Sequence, residues 1–67
     1  MIGLLWYEST GILQVNKAIT AYQKRFGNMP TVVYCRSVFE CDSLEVRQSD
    51  RILPKHYFLV KEVNDAN

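Results

Sequence analysis

Sixty-seven residues, 48% hydrophobic and 12% aromatic, make one small globular domain and exclude a wholly disordered chain. Eight Lys and Arg against seven Asp and Glu leave a formal net charge of +1, which lacks the basic excess of a duplex-DNA binder and lowers the barrier to self-association. No basic segment precedes the opening apolar run, Glu8 interrupts it early, and nothing nears the roughly 20 apolar residues of a bilayer span, so the expectation is cytoplasmic, with no membrane partner.

Residues 2–7, Ile-Gly-Leu-Leu-Trp-Tyr, read as a first strand. A strand turns successive side chains to opposite faces, so a run apolar at consecutive positions predicts a central strand covered on both sides. Residues 8–11, Glu-Ser-Thr-Gly, break it. A helix is predicted over 12–26, because Ile12, Val15, Ala18, Ile19, Tyr22 and Phe26 recur at three- and four-residue spacing. Thr10 or Gly11 is its expected N-cap. Lys24 and Arg25 suit the negative end of the helix dipole, Gly27 suits a left-handed C-terminal residue, and Pro30 prevents resumption.

A second strand follows over 31–36. The short links of this strand–helix–strand unit predict parallel neighbours with a right-handed crossover. Ser37-Val38-Phe39-Glu40 fits a capping box and predicts one helical turn. Residues 44–48 alternate apolar and charged, as a half-buried strand does. Pro54 excludes a central strand at that point, and a last strand is predicted over 56–63. The fold expected is α+β, a small three- to four-stranded mixed sheet with one long helix on one face, in the order β-α-β-(short helical turn)-β-β. The domain covers 1–63, with a disordered tail at 64–67.

One helix about 10–12 Å across cannot roof both faces of a sheet whose strands are about 4.8 Å apart. Alternation assigns Leu4, Trp6, Val33, Cys35, Val46, Phe58 and Val60 to the helix side. It sends Leu5, Tyr7, Val32, Tyr34, Arg36, Glu45, Arg47, Tyr57, Leu59 and Lys61 to the other. Leaving about 400 Å² of that second face wet forgoes on the order of 10 kcal/mol of burial. Three covers compete: the segment 49–55 with Ile52 and Leu53, a second copy or protein partner, or single-stranded nucleic acid stacked on Tyr34 and Tyr57 with Arg36, Arg47 and Lys61 at phosphates.

Catalytic and metal chemistry find little support. Cys35, Cys41 and His56 are the only soft or nitrogenous ligands, and C-x₅-C with one distant His is not the spacing of a structural zinc site. The thiols are expected to be reduced, with no cofactor bound. No orienting third group accompanies a Cys–His pair, and no glycine-rich phosphate loop occurs.

The opening Met1-Ile2-Gly3-Leu4-Leu5-Trp6-Tyr7, the run Tyr22-Gln23-Lys24-Arg25-Phe26-Gly27-Asn28-Met29-Pro30, and Leu44-Glu45-Val46-Arg47 followed by Ile52-Leu53-Pro54-Lys55-His56-Tyr57-Phe58 carry one resemblance. The layout resembles small uncharacterised bacterial and phage-related proteins. That implies a single domain in a bacterial or mobile-element setting, and no activity. The expectation is a binding module rather than an enzyme, self-associating as a dimer or capturing a protein. Tyr7, Tyr34 and Tyr57 are its anchors, and Arg36, Arg47 and Lys61 its rim; a weak single-strand nucleic-acid binder is the alternative, and an uncharacterised enzyme ranks third.

Overall fold

The apolar stripe forms a helix, but one that begins three residues later than its spacing predicts. In the computed structural model, which describes residues 2–62, helix α1 spans Val15–Phe26. The segment before it satisfies its backbone in another way. The Gly11 amide donates to the Glu8 carbonyl at 2.9 Å, Ile12 N–H to Thr10 Oγ1 at 3.3 Å, and Gln14 N–H to Glu8 Oε1 at 3.4 Å. Short polar side chains that bond nearby amides compete with helix formation, which leaves Gln14 as N-cap and Ile12 exposed. The C-terminus follows expectation. Gly27 adopts φ +75° and donates its N–H to the Gln23 carbonyl at 2.8 Å, with Lys24 and Arg25 in the last turn.

Four strands, β1 (Gly3–Tyr7), β2 (Val32–Cys35), β3 (Glu45–Gln48) and β4 (His56–Val60), form one mixed sheet in the order β1-β4-β2-β3. Two expectations are corrected here. The first strand is an edge, not the centre, and β1 and β2 are not neighbours, because β4 lies between them and is antiparallel to both. The β1 run is apolar on both faces, yet only its helix side finds cover. Strands β2 and β3 are parallel, so residues 36–44 must return from the end of β2 to the start of β3. A helical turn advances about 1.5 Å per residue against about 3.3 Å for extended chain. The segment accordingly forms bends and no helix, which corrects the capping-box turn expected at Ser37. The last strand ends at Val60; the predicted end at Val63 and the tail 64–67 lie outside the described residues.

Register shows which side chains share a face. Leu4, Leu59, Val33 and Val46 lie in one row across the sheet, and Trp6, Tyr57 and Cys35 in the next. These rows meet Leu13, Ala18, Ile19, Tyr22 and Leu44 in the core. The opposite rows are Gly3, Val60, Val32 and Glu45, then Leu5, Phe58, Tyr34 and Arg47, then Tyr7 and His56. The expected parity therefore holds for β1, β2 and β3 and is reversed for β4. Tyr57 and Leu59 lie under the helix, and Phe58 and Val60 lie on the free side.

Tyr57 is only 8% exposed, meets the Phe39 ring edge-on at 5.8 Å, and donates its hydroxyl to the Gly11 carbonyl at 2.8 Å. That hydroxyl needs a buried acceptor, and the turn after β1 supplies it. Burial pushes its phenol pKa up. Lys61, exposed and just past β4, follows Leu59 in the alternation and drops out of the free face with Tyr57.

Candidate functional site: the helix-free face of the sheet

The free face has a fixed half and an open half. The fixed half centres on Tyr34. Its hydroxyl donates to Glu62 Oε2 at 2.7 Å and accepts from Arg47 Nη1 at 3.0 Å. Arg47 Nη1 also reaches Glu62 Oε2 at 2.6 Å, its Nε pairs with Glu45, and its guanidinium carbon lies 5.7 Å from the Tyr34 ring centroid. Hydrogen bonds from Tyr34 and then Arg47 hold the Glu62 carboxyl below the usual carboxylate range. The same bonds, with Glu45 first, hold the Arg47 guanidinium firmly protonated. Two carboxylates balance the Arg47 charge, leaving little of it for a phosphate.

Glu62 was not among the residues singled out from the sequence. It lies beyond the end of β4, but it continues the alternate positions Phe58 and Val60, and that continuation opposite Arg47 is the signal that finds it.

The open half lies toward the chain-terminal ends of β1 and β2. Leu5, Arg51, Ile52, Leu53, His56 and Phe58 line a cleft of about 380 Å³. Leu5 is 58% exposed, Tyr7 59% and Leu53 62%, so the segment 49–55 walls this cleft without covering the face. Arg36 fixes the wall, donating from Nε to the Ile52 carbonyl and from Nη2 to the Asp50 carbonyl, both at 3.2 Å. The wall closes through a β-turn in which His56 N–H donates to the Leu53 carbonyl at 3.1 Å, Pro54 takes the second position, and Lys55 takes φ +65° in the third. His56 Nδ1 lies 2.9 Å from the Pro54 carbonyl, which can only accept, so that nitrogen carries the proton. The His56 ring sits 5.0 Å from that of Tyr7.

Phe58 forms the floor because Gly3 is glycine. A Cβ at Gly3 would stand 2.8 Å from Phe58 Cζ, 2.6 Å from Val60 Cγ1 and 2.5 Å from the Leu59 carbonyl oxygen.

The residues proposed from sequence thus separate. Tyr34 and Arg47 are joined in one network, Arg36 braces the loop, Tyr7 is exposed at the cleft's end, and Tyr57 and Lys61 lie off the face. Cys35 is buried on the helix side, its thiol donating to the Ser37 carbonyl at 3.2 Å and its pKa raised by burial, while His56 belongs to the other side of the sheet. The sheet itself separates any Cys–His pair. Among the described residues, no group of three or more His, Cys, Asp and Glu could hold a metal ion, and no helix is long and apolar enough to cross a membrane.

Fold and face together define a small α+β domain with one helix over a mixed sheet and an apolar cleft opposite it. No protein-family model matches the chain, and neither a curated protein nor a solved structure does.

Proposed function

We propose that this protein is a non-catalytic binding module whose docking surface is the open half of the helix-free sheet face, and that its ligand is protein. The observation that carries the reading is the exposure of Leu5, Tyr7 and Leu53 around a preformed apolar cleft floored by Phe58. Large apolar side chains gathered at one cleft are what a partner buries, and a tyrosine with an accessible hydroxyl suits such a contact. Arg36 acts by bracing the wall, and the Tyr34–Arg47–Glu62 network keeps the neighbouring surface rigid.

The test is a concentration series of amide-resolved NMR spectra, run beside capture from cell extract on immobilised protein, for the wild type and a Tyr7→Ser/Leu53→Lys double variant. The reading expects shifts centred on Leu5, Tyr7, Leu53 and Phe58, produced by the chain itself or by a captured protein, and lost in the variant. Spectra insensitive to concentration, together with identical captured sets for both proteins, would overturn it.

A further inference from the structure

We propose that the protein on this surface is a second copy of the same chain, joined edge to edge by antiparallel pairing of β1 with β1 about a two-fold axis through Leu5. This rests on the docking reading above and specifies both its occupant and the line of contact.

The sheet has two edges, β1 and β3. An edge strand presents a row of unpaired N–H and C=O groups, and proteins that stay single guard such rows with charge, proline or brevity. Edge β3 is guarded: it is Glu-Val-Arg-Gln, and Glu45 and Arg47 are tied to each other. Edge β1 is Gly-Leu-Leu-Trp-Tyr, with neither a charge nor a proline.

The ladder shows which β1 groups face outward. Glu8 N–H donates to the Lys55 carbonyl at 2.8 Å, so Glu8 and Lys55 are a hydrogen-bonded pair. The antiparallel pattern alternates along the strand, and Trp6 and Leu4 therefore bond to Tyr57 and Leu59. The backbone groups of Gly3, Leu5 and Tyr7 point away from β4, and among the described residues no second strand flanks β1 and no loop or turn bond reaches them.

That outward row matches itself. With the axis at Leu5, Leu5 faces Leu5 of the second copy and Gly3 faces its Tyr7. Every residue so paired has its N–H and C=O aimed at the other strand, and each such pair exchanges two bonds. The side chains agree with the register. The exposed Leu5 side chains meet at the axis, and each Tyr7 ring arrives over a glycine, beside the Phe58 ring already lying there. On the helix side Leu4 faces Trp6. No like charges meet, and at a net charge of +1 two copies repel only weakly. The product is one continuous eight-stranded sheet, built from two four-stranded ones, whose outer edges are both β3.

Contact along one five-residue strand covers less than the roughly 800 Å² per partner of a standard interface, so half-association is expected on the order of 100 µM. Sedimentation from about 10 µM to about 1 mM should show the mass rising from 7.8 kDa toward twice that value. Hydrogen exchange at the Leu5 and Tyr7 amides should slow about tenfold across the same range. Leu5→Pro removes an N–H that the β1–β4 ladder does not use, and should give a folded monomer. Leu5→Lys and Leu5→Glu should each be monomeric alone and associate when mixed, because the axis brings position 5 onto itself.

A wild type monomeric throughout overturns the proposal, whatever the face captures from extract. Association that leaves the Leu5 and Tyr7 amides unprotected, or that survives Leu5→Pro and is lost only with Leu53→Lys, overturns strand pairing and leaves the docking reading standing.

Discussion

Glu62 shows how a single side chain links the far end of β4 to the sheet edge. Its carboxylate accepts from both Tyr34 and Arg47, and its pKa is held below the ordinary carboxylate value of 4.5. Glu8, bonded first by the Trp6 indole N–H at 3.2 Å, is lowered in the same direction. A carboxylate whose pKa is lower folded than unfolded contributes stability above the unfolded value, and loses that contribution as the pH falls through the folded one. The melting temperature should therefore drop as pH falls below about 4.5, and the gap between wild type and Glu62→Gln should narrow over that interval. A gap that is constant between about pH 6 and pH 3 would count against the network. Gly3→Ala tests steric need at a second position. A methyl group there meets the Leu59 carbonyl and Val60, so a loss of about 1–3 kcal/mol is expected in chemical denaturation.

At the scale of elements, two left-handed residues make opposite predictions. Gly27 closes α1 at φ +75° with open space where a Cβ would go, so Gly27→Ala should cost about 1–2 kcal/mol through backbone conformation alone. Lys55 occupies φ +65° without being glycine, and Lys55→Gly should gain up to about 1 kcal/mol. Denaturant midpoints read both. The helix was legible in the sequence because one stripe has only one way to face a core, and its C-terminus because Gly27 and Pro30 act locally. Its start was not, since the bonds of Glu8 and Thr10 to later amides depend on the shape of the turn. The β4 face was illegible for a different reason. Tyr57 and Leu59 are as apolar as Phe58 and Val60, so alternation alone gives two equal answers. The hydroxyl of Tyr57 decides between them by reaching Gly11, 46 residues away. Tyr57→Phe should cost about 0.5–1.5 kcal/mol for that bond, whereas Tyr57→Ala should cost about 3–5 kcal/mol for the lost core.

For the molecule as a whole, one helix and two apolar sheet faces foretell a second face without helical cover, and part of its membership. The second face is there, and Leu5, Tyr7 and Tyr34 point to it. Two of its charged members are engaged within the chain: Arg36 bonds to the carbonyl of Ile52, and Arg47 pairs with Glu45 and Glu62. Ion pairing depends on positions that only the assembled sheet defines, because Arg47 lies within β3 and Glu62 two residues past β4, with β2 between those strands. The edge placement of β1 was likewise beyond the sequence, since an apolar run signals burial without saying which neighbours supply it. If two copies join along that edge, stability gains a dependence on protein concentration that a monomer lacks.

The last of the described strands, β4, sits between the two that flank the helix, and it is hydrogen-bonded to both. A polypeptide leaving the ribosome can wind α1 early and can offer β3 to β2, but β1 has no ladder partner until residues 56–60 have cleared the exit tunnel. Through that interval the Gly-Leu-Leu-Trp-Tyr run travels uncovered on both flanks, a ready hold for any chaperone that grips extended greasy chain. The order of strands thus makes the arrival of β4 the event that closes the sheet.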